Sequence, residues 1–206
     1  MLHAFVVASQ PHSPDHQGIL SVAWVEAQVT EQRVLRHTEA DQLNAWRAMH
    51  GGVHVIAIGE CGLDKVCKTS FPLQQEVFIA QLLWANEINK PLIIHCVKAF
   101  DEILGLLKKH SIKVPVIFHG FNKNRLLAEK IIQQGHWLSF GKALQQPAMQ
   151  QIFASLPTNK IFLETDDAAI NIQQIYLAAT SLKNISMEQL NLQLTKNVHA
   201  VFNITV

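Results

Sequence analysis

The chain has 206 residues, 49% of them hydrophobic and 16% charged, which excludes a disordered chain and allows a folded domain with a sizeable core. Its net charge of +1 gives no overall field that would attract nucleic acid or an anionic membrane surface. We expect a cytoplasmic protein, because three scattered cysteines form no disulfide framework and we find neither a signal peptide nor an apolar run of membrane-spanning length.

Strands and helices alternate along most of the chain. Strands are predicted over residues 5–8, 19–25, 33–36, 53–58, 91–94, 114–118, 136–140 and 160–163. Helices are predicted over residues 70–89, 100–110 and 126–135, and two more from Pro147 and Ser186. Ser186 is followed three residues later by Gln189, which is typical of a capping box. Before residue 53 the connections are short and helix signals are mostly absent.

This alternation predicts an α/β fold with a parallel sheet, because near-continuous apolar strands are covered by helices on both faces. Seven or eight strands favour a TIM-like parallel β/α barrel over an open sheet. A full eight-unit barrel needs about 250 residues, so we expect the N-terminal units to be trimmed or distorted. No linker or repeat interrupts the chain, and residues 1–206 are therefore predicted to form a single barrel domain.

Four polar side chains stand where predicted buried strands end. Glu60 follows the strand at 53–58, and the glycines around it predict a sharp turn; His95, His119 and Asp166 follow later strands. Because the C-terminal ends of parallel barrel strands share one rim, these four residues are expected to converge in one cleft. Carboxylates and neutral imidazoles bind zinc, manganese or iron, and carboxylates also bind magnesium. The alternative, four unrelated polar residues at strand ends, requires a fourfold coincidence.

Other chemistries lack their sequence signals. No Gly-x-Ser-x-Gly elbow, phosphate-binding loop or Gly-x-Gly-x-x-Gly fingerprint is present. The aromatic content of 7% and the absence of Lys/Arg clusters argue against a dedicated nucleic-acid-binding module.

Several motifs resemble those of the TatD-type metal-dependent hydrolases, a family often described as deoxyribonucleases. They are Ile58-Gly59-Glu60-Cys61-Gly62-Leu63-Asp64, Gln74-Gln75-Glu76-Val77-Phe78, Lys90-Pro91-Leu92-Ile93-Ile94-His95-Cys96, Phe118-His119-Gly120-Phe121, Leu163-Glu164-Thr165-Asp166, and the Asn-x-x-x-x-Phe ending that begins at Asn197. The resemblance runs from about residue 53 to the end. It implies an amidohydrolase-type barrel, one or two divalent cations and hydrolysis of phosphodiester bonds in DNA.

The resemblance also implies a role for each of the four polar residues. Glu60 matches the carboxylate that bridges the metals. His95 and His119 match the two imidazole ligands of one metal. Asp166 matches the catalytic aspartate, which is also a ligand of the other metal.

Three departures from the family pattern concern the first metal subsite and the substrate loop. The first strand is followed by Gln10-Pro11-His12, where the family carries His-x-His. After Asp166 the usual Ser-Pro is replaced by Asp167-Ala168, and the basic loop that follows is shortened. We therefore predict one divalent cation (Mg, Zn or Mn) rather than two, at the subsite that Glu60, His95 and His119 complete.

Three functions remain open at this point. The chain could be a metal-dependent phosphodiesterase or nuclease acting on DNA. It could be a degenerate member of the family that serves as a binding or structural protein. It could also be a hydrolase of a small amide or phosphoester substrate, with a smaller pocket formed by the trimmed loops.

Overall fold

A computed structural model describes residues 3–9, 22–28, 54–166 and 170–203. The chain divides into two compact units, residues 1–114 and residues 115–206. From residue 54 onwards strands alternate with helices in both units, which confirms the α/β class. The strand predicted at 33–36 lies outside the described residues, and the single-domain organisation stays a prediction. None of the described helices is long and apolar enough to cross a bilayer.

The first unit contains a sheet in which one strand, the first, runs against the expected direction. Its strands are β1 (His3–Ser9), β2 (Val22–Gln28), β3 (His54–Asp64) and β4 (Leu92–Val97). Their spatial order is β2-β1-β3-β4. β1 pairs antiparallel with both β2 and β3, whereas β3 and β4 are parallel. The antiparallel β1 agrees with the expected distortion of the N-terminal units. Antiparallel strands need no crossover helix, which agrees with the missing helix signals there.

The two helices that the structure describes in the first unit begin and end within two residues of their predicted bounds. They are α1 (Phe71–Glu87) and α2 (Phe100–Lys109). Pro72 lies in the first turn of α1, where its missing N–H has no helical partner in any case. The first turn of α2 carries Asp101 and Glu102, and its last turn carries Lys108 and Lys109, so both ends complement the helix dipole.

The second unit contains three parallel strands separated by helices. Its strands, in spatial order, are β5 (Val116–Phe118), β6 (Trp137–Phe140) and β7 (Ile161–Leu163). Its helices are α3 (Arg125–Gln133), α4 (Pro147–Ser155), α5 (Ile172–Lys183) and α6 (Met187–Phe202). At the start of α6 both hydrogen bonds of the predicted capping box are present.

Helix α5 was not predicted from the sequence. Its signals are present but weak: the Asn171 side chain accepts a hydrogen bond from the backbone N–H of Gln173, at 2.8 Å. Ile175 and Ala179, four residues apart, are the buried positions of this helix. An asparagine cap with only two buried positions on one face is easily read as part of a loop.

Aromatic rings fill the core of the second unit. Phe140 at the end of β6 makes edge-to-face contacts with Phe121 and with Phe153 of α4, at centroid distances of 5.7 and 5.1 Å. All three side chains are fully buried. Because such a core is densely packed, the end of β5, which is followed directly by the candidate site residue His119, is held on a rigid support.

The buried amide of Asn197 ties α6 to the start of β7. Its Nδ2 donates to the backbone carbonyl oxygens of Thr158 and Ile161, at 2.9 and 2.7 Å, and its Oδ1 accepts from Gln193 at 2.8 Å. The side chain is 1% exposed. These bonds give a structural reason for an asparagine at this point of the family motif.

Replacing Asn197 with alanine is expected to lower the free energy of unfolding by about 2 kcal/mol, because two carbonyl oxygens lose their donor away from water. Asn191, exposed on the same helix, provides a matched control, and its replacement by alanine should change stability by less than about 0.5 kcal/mol. Urea unfolding followed by circular dichroism measures both. Equal stability of the two variants would contradict this role.

Candidate metal centre

Strand β3 carries Glu60 and does not end there. The strand continues to Asp64, and Gly62 pairs with His95 of the parallel neighbour β4. The prediction of a sharp turn at the glycines is therefore wrong. Gly59 and Gly62 serve close packing instead: a Cβ on Gly59 would lie 2.7 Å from the Cβ of Ile93, and one on Gly62 would lie 1.8 Å from the carbonyl oxygen of His95.

Cys61, next to Glu60, has a thiol that packs in the core and does not act as a metal ligand. Its side chain is buried, and its Sγ lies 3.7 Å from the carbonyl oxygen of Ile93. Burial, with a contribution from the negative charge of Glu60, raises the pKa of the Cys61 thiol far above its usual value. Because only a thiolate binds metal or attacks a substrate, this cysteine is chemically inert.

His95 lies within β4, beside a carboxylate that the sequence did not single out. Its Nε2 is 4.0 Å from Oδ2 of Asp64, and the two side chains are 43% and 27% exposed. The other oxygen of Asp64 accepts hydrogen bonds from the backbone N–H groups of Val66 and Cys67, at 2.7 and 3.3 Å. Asp64 is thus fixed by the turn that follows β3.

A buried glutamine holds that turn in place. Gln74 of α1 is 1% exposed; its Oε1 accepts from the backbone N–H of Asp64 at 2.8 Å. Its Nε2 donates to the carbonyl oxygens of Asp64 and Thr69, both at 2.9 Å. The side-chain amide therefore substitutes for a strand neighbour at the end of β3. In the sequence Gln74 stands out only as part of a family motif, and its structural role is not predictable there.

The second unit contributes His119, directly after β5, and Asp166, three residues after β7. His119 is 10% exposed, and its Nδ1 lies 3.8 Å from Oε1 of Glu164, which is 20% exposed. The same carboxylate oxygen accepts a hydrogen bond from the backbone N–H of Gly120 at 2.6 Å. Asp166 is exposed and has a left-handed backbone conformation, with φ of 51°.

Two of the four predicted site residues come together within the first unit. Glu60 on β3 and His95 on β4 each offer one ligand atom, and these two atoms lie within 4.8 Å of each other. Both residues are half-buried, and so is His119 in the second unit. The roles of His119 and Asp166 as ligands stay predictions. His12, a candidate remnant of the family's His-x-His, lies outside the described residues.

A carboxylate and two imidazoles, the donor set that the sequence predicts, suit a divalent cation. Neutral imidazole nitrogen binds zinc, manganese and iron, and a carboxylate completes such a set without any thiolate. Three protein ligands also leave coordination positions for water or substrate, which is typical of catalytic and not of structural metal sites.

Comparison with known proteins covers most of the chain. The model of the TatD related DNase family matches residues 27–203. The 3'-5' ssDNA/RNA exonuclease TatD of Klebsiella pneumoniae is 34% identical over 118 residues, which are 54% of this chain and 45% of that protein. The uncharacterized metal-dependent hydrolase YjjV of Escherichia coli K12 is 26% identical over 167 residues, which are 73% of this chain and 64% of that protein.

Solved structures agree on the fold. The crystal structure of the Escherichia coli YjjV protein matches with a TM-score of 0.67 at 25% identity and covers 73% of this chain and 64% of that chain. A TatD family hydrolase from Entamoeba histolytica matches with a TM-score of 0.69 at 16% identity, over 81% of this chain and 69% of that one. The chain spans about half to two thirds of the length of the curated relatives named above.

The sequence resemblance is thus confirmed by a family match over most of the chain and by the fold. The motifs that carry the resemblance are also those that the structure explains: glycines at the β3–β4 contact, Gln74 at the end of β3 and Asn197 beneath β7. This chain belongs to the family of TatD related DNases.

Proposed function

We propose that this chain is a metal-dependent phosphodiesterase that acts on single-stranded DNA with one divalent cation held by Glu60, His95 and His119. The observation that carries the proposal is the pair of Glu60 and His95 on adjacent parallel strands, whose ligand atoms lie within 4.8 Å of each other. His119 is proposed as the third ligand from the family motif in which it stands. The names of the relatives support it, since one is called an ssDNA/RNA exonuclease and another a metal-dependent hydrolase.

The donor set favours a particular class of cation. Two imidazoles and one carboxylate match zinc or manganese better than magnesium, which prefers oxygen ligands and retains its waters. The sequence retains Glu60 and both imidazoles but has Gln10-Pro11-His12 in place of the family's His-x-His. A single occupied subsite is therefore the proposed state.

The mechanism assigns one task to each side chain. A divalent cation supplies Lewis acidity at a phosphoryl oxygen and makes water a nucleophile at neutral pH. Glu60, His95 and His119 would hold this cation, and the low exposure of His119 would limit competition by bulk water. Asp166 accepts the proton of the attacking water on a carboxylate oxygen, as a general base. Its exposed position after β7 leaves it accessible to substrate.

A second candidate function has its own observation. The loss of His-x-His, and the replacement of Ser-Pro by Asp167-Ala168 after the catalytic position, remove ligands and substrate contacts from the family pattern. These losses favour a family member that binds nucleic acid or a partner without cleaving it. In that case the retained imidazoles would bind metal for stability or not at all.

Metal removal distinguishes the two candidates. Freshly purified protein should contain about one equivalent of divalent metal by elemental analysis and should shorten an end-labelled single-stranded DNA. Dialysis against a chelator should abolish cleavage, and adding Mn²⁺ or Zn²⁺ should restore it, because the cation provides the charge stabilisation. A small phosphodiester, assayed in parallel, tests whether the chain acts on small phosphoester substrates. Cleavage that persists without metal would refute the proposal, and metal binding without any cleavage would favour the second candidate.

A further inference from the structure

We infer that Glu164 is a positioning residue for His119: its carboxylate fixes the imidazole with the N–H on Nδ1 and leaves Nε2 as the nitrogen that can bind metal. The part of the inference that concerns metal binding rests on the proposed function. The part that concerns the tautomer of the imidazole does not. No role for Glu164 follows from its place in the sequence, where it stands two residues before the expected catalytic aspartate.

The contact between the two side chains is specific. Oε1 of Glu164 lies 3.8 Å from Nδ1 of His119, within ion-pair distance and longer than a hydrogen bond. The same oxygen accepts a hydrogen bond from the backbone N–H of Gly120, the next residue after His119, at 2.6 Å. One carboxylate oxygen thus faces both the imidazole and the backbone that carries it. Long contacts between groups of an empty site often shorten to hydrogen bonds when the site is loaded.

The position of Glu164 is set by the neighbouring strand. Its backbone N–H donates to the carbonyl oxygen of Phe140 at 3.0 Å. Gly141 packs against it so closely that a Cβ there would lie 2.9 Å from the carbonyl oxygen of Glu164 and 3.3 Å from its Cγ. The segment that follows β5 is bonded to β6 as well, since the N–H of Phe121, two residues after His119, donates to the carbonyl oxygen of Ser139 at 3.0 Å. Both partners are therefore held by the same strand.

Exposure distinguishes this pair from the similar pair at His95. His119 and Glu164 are 10% and 20% exposed, whereas His95 and Asp64 are 43% and 27% exposed. Water screens the charges of the His95–Asp64 pair more strongly. The Glu164 carboxylate should therefore have a larger effect on His119 than the Asp64 carboxylate has on His95. A carboxylate behind a ligand histidine fixes its tautomer and raises its basicity toward a metal.

The first experiment measures metal affinity in a charge-neutral variant. Glu164→Gln retains the size of the side chain and an oxygen that can accept from Gly120, so a purely structural role is preserved. If Glu164 positions His119, the dissociation constant for Mn²⁺, measured by calorimetry, should rise by about 10–100-fold. Glu129→Gln is the matched control: this carboxylate pairs with Arg125 at 2.6 Å on α3, and its loss should leave the metal affinity unchanged.

The second experiment uses metal-free protein. Long-range ¹H–¹⁵N spectra should show His119 as the Nδ1–H tautomer in the wild type, and a shift toward the Nε2–H tautomer in Glu164→Gln. An Nε2–H tautomer in the wild type, or a tautomer balance unaffected by the substitution, would overturn the inference. If the wild type binds Mn²⁺, an unchanged Mn²⁺ affinity in Glu164→Gln would also overturn the inference. A wild type that binds no metal but shows the expected tautomer shift would refute the proposed function and support the role of Glu164.

Discussion

Replacing Asp166 with asparagine is expected to slow DNA cleavage by about 10²–10⁴-fold while the metal affinity stays within about threefold of the wild type. The substitution retains the size of the side chain but removes the group that accepts the proton, and general bases contribute about that factor. Metal affinity should persist because the proposed ligands are Glu60, His95 and His119, and Asp166 is not one of them. Single-turnover cleavage and Mn²⁺ titration give the two values.

His119→Ala provides the contrasting result. Removing this imidazole takes away one of three protein ligands, so both metal affinity and cleavage should fall together. His199→Ala, on the exposed side of α6, is the control and should change neither. If Asp166→Asn also loses the metal, Asp166 is a ligand as the family resemblance implies, and the separation of roles proposed above is wrong. An Asp166→Asn variant that cleaves normally would exclude it as the general base.

The described helices other than α5 were predictable because their signals are local. Pro72, the charged ends of α2 and the Ser186–Gln189 box each act within one turn of the residue that carries them. The approximate positions of Glu60, His95 and His119 were predictable for a similar reason. Each lies on or directly after a strand recognisable from its apolar run.

Features that depend on contacts between strands were not predictable. An apolar run predicts a strand but not its direction, so the antiparallel pairing of β1 was missed. The glycines near Glu60 were interpreted as a turn because glycine is common both in turns and where two backbones pack closely. Only the backbone of β4 shows that close packing is the reason here. Asp64 and Glu164 were missed because their relation to the imidazoles depends on the turns that hold their carboxylates.

Gly62→Ala should be among the most destabilising single substitutions in the chain and should also weaken metal binding. An alanine Cβ would lie 1.8 Å from the carbonyl oxygen of His95 and 2.8 Å from its carbonyl carbon, both backbone atoms that no rotamer change can move away. β3 and β4 must therefore separate where Gly62 pairs with His95. Overpacking costs up to about 3 kcal/mol, and lost strand hydrogen bonds add to this. We expect the melting temperature to fall by about 6–12 °C.

Gly105→Ala is the matched control because no atom lies within 4 Å of the added Cβ and the residue is inside α2. This substitution should stabilise the protein by about 0.5–1 kcal/mol, since alanine loses less conformational freedom in a helix. Thermal unfolding with and without Mn²⁺ tests both variants. The displaced strand carries His95, so the Mn²⁺-dependent rise in melting temperature should be smaller in Gly62→Ala than in Gly105→Ala. If Gly62→Ala melts within 2 °C of the wild type and retains the full Mn²⁺ effect, the close β3–β4 packing does not hold His95 in place.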